Sequence, residues 1–217
     1  MGKAKSYADY RGLRGLVAAE ILKDDGTTFE ADKWKELEGA VSCNIEGEEE
    51  SSPVYRDNKA MRNITTEGAD TATVNMDVLA NKVRAWLEGR GYNSKNDVYL
   101  KTPKKIRNFV FGFIGEKTDG TEEAVIMYNT TVTGGNEERK TKDDGTDVTT
   151  VEYVFSGAYT KTAFAGLDEK APEKKESVKS LTVPLSETVT EAKLFGVFTD
   201  GVSSLAPLTP DTVITLA

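Results

Sequence analysis

Three runs of adjacent carboxylates are the groups in this sequence whose spacing first suggests chemistry: Glu48-Glu49-Glu50, Glu122-Glu123 and Asp143-Asp144. Glycoside hydrolysis needs two carboxyl groups about 5–10 Å apart facing one pocket, one of them held above its ordinary pKa. Neighbours along a strand point to opposite faces, and neighbours in a polar loop are solvated, so these runs read as soluble charged segments. Lys142–Asp147 gathers oxygen ligands but lacks the alternating Asp-x-Asp-x-Asp-Gly order and distant Glu of an EF-hand loop, and reads as an Asp-Gly turn. The chain has no His and a single cysteine, Cys43. This removes Ser-His-Asp and Cys-His catalysis, imidazole zinc sites and any intrachain disulfide. No Walker A or Gly-x-Gly-x-x-Gly sequence is present. The expectation is a protein that is not an enzyme and carries no cofactor or metal.

The 28 Lys and Arg face 36 Asp and Glu, for a formal charge of −8. That balance argues against gripping nucleic-acid phosphates over a broad surface. The basic cluster Lys101, Lys104, Lys105 and Arg107 lacks interleaved aromatics and reads as edge-protecting or partner-facing. The N-terminal MGKAKSYADYRG has no apolar signal core, and the apolar stretch Phe109–Ile114 is far below the ~20 residues of a membrane span. The expectation is a soluble protein made in a reducing compartment. The match of Met1-Gly2 and Ser6 to a myristoylation pattern, and the sequons at Asn63 and Asn129, are short enough to arise by accident.

Elements that would position these groups follow from periodicity. Most segments alternate with period two. Ala72, Val74, Met76 and Val78 oppose Thr71, Thr73, Asn75 and Asp77; Val41, Cys43 and Ile45 oppose Ser42, Asn44 and Glu46; Val151, Tyr153 and Phe155 oppose Glu152, Val154 and Ser156. Phe109, Phe111 and Phe113 share one face with Val110 and Ile114 opposite, which predicts a strand buried on both sides. A further strand is expected over Leu16–Leu22. Asp-Gly steps at Asp25, Asp119, Asp144 and Asp200 supply turns, and Phe109–Gly115 with Ala124–Thr131 forms the clearest hairpin. One segment has helical spacing: Asp77 caps Val78–Glu88, with Leu79, Val83, Trp86 and Leu87 on one face and Gly89 as the left-handed C-cap.

The fold class expected is mainly β, an antiparallel β-sandwich or barrel with one flanking helix at about 78–88, long loops and extended terminal arms. Gly47–Asn63 and Gly134–Asp147 read as long polar loops. The chain divides into a β domain with an N-terminal arm (1–166) and a linker with a C-terminal arm (167–217). The two Pro and final apolar Val-Ile-Thr-Leu of Val178–Ala217 suggest an extended arm, and it is expected to lie as a strap against other protein because its Pro207–Leu216 end would be poorly satisfied free in water.

The order of these parts carries a resemblance. A glycine-rich strand (Gly12–Leu22) leads to Asp25-Gly26-Thr27 and then Leu37-Glu38-Gly39-Ala40-Val41-Ser42-Cys43-Asn44-Ile45. A polar loop containing Val54-Tyr55-Arg56-Asp57-Asn58 follows, then the helix, the hairpin Phe109–Thr131, and a strand ending Gly157-Ala158-Tyr159-Thr160-Lys161. Over about residues 10–166 the sequence resembles the major tail tube proteins of long, non-contractile-tailed bacteriophages. The resemblance implies rings of six subunits stacked into a tube through which DNA leaves the capsid. Each subunit's inner sheet would join a continuous barrel around the lumen. The loop between the second and third strands, here Gly47–Asn63, would contact the next ring, and the terminal arms would do likewise. It implies a virion tail location after assembly in the host cytoplasm, with tape measure and tail-end proteins as partners.

A DNA conduit must avoid dense Lys and Arg. Ser42, Asn44, Glu46, Thr71, Thr73, Asn75, Thr150 and Glu152 are the expected lining. Val41, Ile45, Val74, Met76, Val151 and Tyr153 are expected to bury behind them against the helix and a second sheet. Glu48, Glu49, Glu50, Tyr55, Arg56 and Asp57 are the expected ring-stacking residues, with Lys101–Arg107 or Arg139-Lys140 as charge partners. Rival readings are the tube of a contractile tail, bacteriocin particle or secretion system, a surface carbohydrate-binding β-sandwich, and a carboxylate hydrolase. The carbohydrate reading needs exposed aromatics, for which Trp34 and a few Tyr remain.

Overall fold

The computed structural model describes residues 9–56, 59–136 and 150–216. The strands are β1 (Tyr10–Asp24), β2 (Phe29–Ala31), β3 (Lys35–Glu36), β4 (Ala40–Arg56), β5 (Lys59–Met76), β6 (Gly91–Asn93), β7 (Val98–Leu100), β8 (Asn108–Lys117), β9 (Glu122–Asn136), β10 (Val151–Gly157), β11 (Ser180–Pro184), β12 (Phe198–Thr199) and β13 (Val202–Ser203). The helices are α1 (Asn81–Glu88), α2 (Glu191–Phe195) and α3 (Pro210–Leu216). The protein is therefore mainly β, and its strand pairings are antiparallel.

The main sheet runs β12-β13-β3-β1-β8-β9-β10-β5-β4, with β2 added to β1 and β11 to β9. It curls so that β4 comes back beside β1, closing most of a barrel. The periodicity of β8 explains why. Phe109, Phe111 and Phe113 fill the barrel with Ala72, Val74, Met76, Val132, Tyr153 and Phe155, while Val110 and Ile114 join a second core on the outer face. Inside, the Phe111 and Phe155 rings stack with centroids 4.1 Å apart, and Trp86 of α1 meets Phe109 edge-on at 5.0 Å.

The second core is covered by the C-terminal segment, which is folded where the sequence suggested an extended arm. β11 pairs with β9 from Ser180↔Met127 to Pro184↔Glu123. Val183, Val189, Leu194, Phe195 and Val213 bury against Val17, Ala19, Val110, Ile114 and Ile126. Phe195 lies over Gly112, where a Cβ would approach its ring to 2.9 Å. Trp34 is fully buried, edge-on to Phe195 at 5.3 Å, and its indole N–H donates to the Leu194 carbonyl at 3.2 Å. A tail with few long apolar runs reads as an arm; it folds because the outer face of β1, β8 and β9 is itself apolar and must be covered.

Two turns behave as their Asp-Gly steps dictate. Asp200 and Gly201 both take positive φ, 51° and 72°, in the two-residue hairpin between β12 and β13. At Asp25 the carboxylate accepts from the Thr28 and Thr27 amides at 2.9 and 3.0 Å. Those bonds, with Lys23 nearby, hold its pKa at about 2. The folded value lies below the unfolded one, so this turn's contribution is complete above pH ~4 and lost as pH falls toward 2. Asp25→Ala is expected to flatten the loss of stability across that window, which thermal melts from pH 2 to 5 will check.

The helix departs from its sequence reading at its start. Asp77 does not cap it; its backbone N–H donates to the Gly39 carbonyl at 2.8 Å, prolonging the β4–β5 pairing. α1 accordingly begins at Asn81 after Ala80, with no side-chain cap, and Val78 is exposed. Its end is as expected, with Gly89 at φ 64°. Leu79, Ala85 and Leu87 are buried, and Val83 and Trp86 pack on the barrel core.

Candidate functional site

The outward faces of β4, β5, β10 and β9 form a polar grid. Register places Ser42, Asn75, Glu152 and Asn136 in one row across the four strands. Asn44, Thr73, Val154 and Thr133 form the next row, and Glu46, Thr71, Ser156 and Thr131 the third. Period-two alternation produces it, since each grid residue is flanked by a core residue such as Ala72, Val74, Val151, Tyr153 or Phe155. With ladders ~4.8 Å apart and alternate residues ~6.7 Å apart, the patch measures roughly 14 by 13 Å. No Lys or Arg occurs at its positions, and Glu46 and Glu152 are its ionisable groups. The Asn75 amide donates to Ser42 Oγ at 3.1 Å, and the Asn44 amide to Glu46 Oε1 at 2.8 Å, so the surface satisfies part of its own polarity.

The structure thus brings Ser42, Asn44, Glu46, Thr71, Thr73, Asn75 and Glu152 onto one face, and half-buried Thr150 precedes β10 at its edge. Val74, Met76, Val151 and Tyr153 bury behind it. Val41 and Ile45 do not. A bulge between Ala40 and Ser42 swings Val41 outward, to 62% exposure. Ile45 is 43% exposed because it lines an open end of the barrel.

The expected polar loop Gly47–Asn63 is strand instead. Beyond Gly157↔Asp70, where β10 stops, β4 and β5 continue alone as a two-stranded ribbon pairing Glu49↔Glu67 through Arg56↔Lys59. Backbone pairing needs no apolar face, so a segment without regular apolar alternation can pair as a ribbon and still give no period to read. Glu48 and Glu49 are exposed at its base, and Glu50, Tyr55 and Arg56 lie within β4. Asp57 falls outside the described residues, as do Arg139, Lys140 and Lys142–Asp147. Lys179 tethers the base: its Nζ donates to the Gly68 carbonyl at 2.8 Å, lies 3.6 Å from both Glu67 and Asp70, and covers the Tyr159 ring at 4.7 Å.

The open barrel end was not legible in the sequence. It is a cavity of about 420 Å³ lined by Leu13, Cys43, Ile45, Phe113, Val125 and Met127, with Tyr10, Asp70 and Glu123 among its polar neighbours. Glu123 is buried, accepts from the Tyr10 hydroxyl and the Lys117 ammonium, and has its pKa raised by desolvation. Burial pushes the Cys43 thiol up to about 12, which makes it a poor nucleophile near neutrality.

Among the described residues no carboxylate dyad emerges. Glu122 pairs with Arg14 at 2.7 Å, and its neighbour Glu123 is engaged by Lys117 and Tyr10. Among the described residues no group of three His, Cys, Asp or Glu is placed to hold a metal ion. No helix among them is long and apolar enough to cross a membrane. Trp34, the aromatic on which a carbohydrate surface would have relied, is sealed in the outer core. The fold defines an antiparallel, mainly β protein with flanking helices. Comparison with known proteins finds no family model that matches the chain and no matching curated protein.

Proposed function

We propose that this chain is a structural subunit that assembles into rings of six stacked as a tail tube, a conduit through which DNA is ejected. In this reading the subunit works in a virion tail, meets tape measure and tail-end proteins, and catalyses nothing. The observation that carries the reading is the cation-free polar grid on β4, β5, β10 and β9. Facing a lumen, it would let phosphates pass without the ion-pair contacts that supply most non-specific affinity. Two further features support it. Among the described residues β4 is a sheet edge with β5 as its one ladder partner, available to pair with a neighbour. The β4–β5 ribbon extends beyond the sheet, and an isolated two-stranded ribbon is at best marginally stable in water, so a neighbour is expected to support it.

Electron microscopy of the purified protein tests the reading directly. Hollow tubes or six-fold rings are expected; a monomer by sedimentation at millimolar concentration, with neither, would overturn it. The lining makes its own prediction. Ser42→Lys with Thr73→Lys puts two cations per subunit on the grid, or about twelve per ring of six. Tubes of this variant are expected to retain double-stranded DNA at 50 mM salt and release it steeply by 200 mM, whereas unaltered tubes retain little. Equal retention by both would remove the grid from the lumen.

A further inference from the structure

We propose that the open end of the barrel receives, from a second copy of this chain, the apolar knob at the barrel's opposite end. The proposal rests on the self-assembly reading above and names the contact through which copies stack. The knob is the exposed pair Ile106 (83%) and Leu22 (65%), which edge a shallow depression also lined by Lys23, Arg107 and Lys161 and by Glu20 and Asp24, with Arg107 paired to Glu20 at 2.7 Å. Exposed Lys101, Lys104 and Lys105 precede it in sequence. Lys104 Nζ donates to the Val132 carbonyl, which leaves Lys101 and Lys105 as the exposed cations for a neighbour.

The receiving end is complementary in shape and charge. Its cavity of about 420 Å³ is lined by Leu13, Ile45, Phe113, Val125 and Met127, space enough for a branched aliphatic side chain. Asp70 lines this cavity and also the adjoining acidic groove of Glu48, Glu49, Glu67 and Glu176, in which Lys179 is the one cation among the described residues. Ile106 adjoins the start of β8 and Gly115 near its other end lines the cavity, so knob and cavity are separated by the strand's length, about 30 Å. β1 runs antiparallel to β8 and fixes the same polarity, with Leu22 near the knob and Leu13 in the cavity. A surface at one end that fits a different surface at the other is a heterologous contact; repeated, it adds copies in line without closing. Desolvating Ile106 and Leu22 drives the contact, and the charges orient it.

The test is a cross-linking ladder. Cys43→Ser removes the native thiol, and Ile45→Cys with Ile106→Cys then places one thiol at each end of the chain. Mild oxidation is expected to give dimers, trimers and higher species on non-reducing electrophoresis, with each single-cysteine control stopping at dimer. A parallel variant, Lys101→Glu with Lys105→Glu, is expected to raise the concentration needed for assembly about tenfold and to abolish its salt dependence. Tubes or rings in the microscope without a ladder would overturn this contact while leaving the assembly reading intact. A ladder absent together with a persistent monomer would overturn both.

Discussion

A chain ended at Gly166 is expected to lose cooperative folding altogether. That cut follows the boundary the sequence suggested between β domain and C-terminal arm, yet it strips the cover from the outer face of β1, β8 and β9. Val17, Trp34, Val110, Ile114, Ile126 and Tyr128 would be exposed to water. At about 1.5–3 kcal/mol per large apolar side chain, the loss is about 10 kcal/mol or more, comparable to the whole stability of a domain. Two bonds at the heart of the interface would go too: the Trp34 indole to the Leu194 carbonyl, and the Tyr128 hydroxyl to the Leu208 carbonyl at 3.1 Å. Circular dichroism on heating should show no sharp transition, and light scattering should report aggregation. A cooperative melt from the truncated chain would mean that the barrel interior alone sustains the fold.

Excising the ribbon should have the opposite signature. Replacing Glu49–Glu67 by Asn-Gly, so that Glu48 meets Gly68 through a tight turn, removes β4 and β5 only beyond the point where β10 stops pairing with β5. The barrel core from Ala72 to Met76 is untouched, so the melting temperature should move by only a few degrees. Assembly beyond the ring should collapse, with a rise of roughly a hundredfold in the concentration needed for tubes, equivalent to about 2.7 kcal/mol per contact. Single rings should persist, because the β4 edge from Ala40 to Gly47 remains. Tubes of unaltered onset and length would take the ribbon out of ring stacking. Sedimentation velocity and negative-stain images distinguish these results.

Both variants probe features that period-two reading alone could not place. The strands were legible where one face is apolar: Ala72, Val74 and Met76 inside, Thr71, Thr73 and Asn75 outside, with β8 buried on both faces. The grid was legible for the same reason, since alternation that hides one set of residues must present the other. The ribbon was not, because its pairing lies in backbone hydrogen bonds to which side-chain polarity is indifferent. The helix start was missed because Asp77 satisfies its amide on Gly39, an interaction some 38 residues away in sequence. Cys43 and Ile45 were assigned to the buried side correctly in direction, but direction could not say that this side opens into a cavity.

What the sequence determined by itself is therefore the period, the turns and the chemistry that is missing. Alternation sets which face of each strand seeks the core, Asp-Gly steps set where the chain reverses, and the absence of His with a lone Cys removes His-based chemistry and intrachain disulfides. Tertiary structure alone decided which strands became neighbours and what closes over each face. Sheet curling leaves β4 beside β1, with a cavity at one open end of the barrel. The apolar outer face of β1, β8 and β9 draws in residues 178–216, whose own pattern is too broken to announce a core. Local pattern records which side of a segment avoids water; which partner excludes that water depends on contacts between residues distant in sequence.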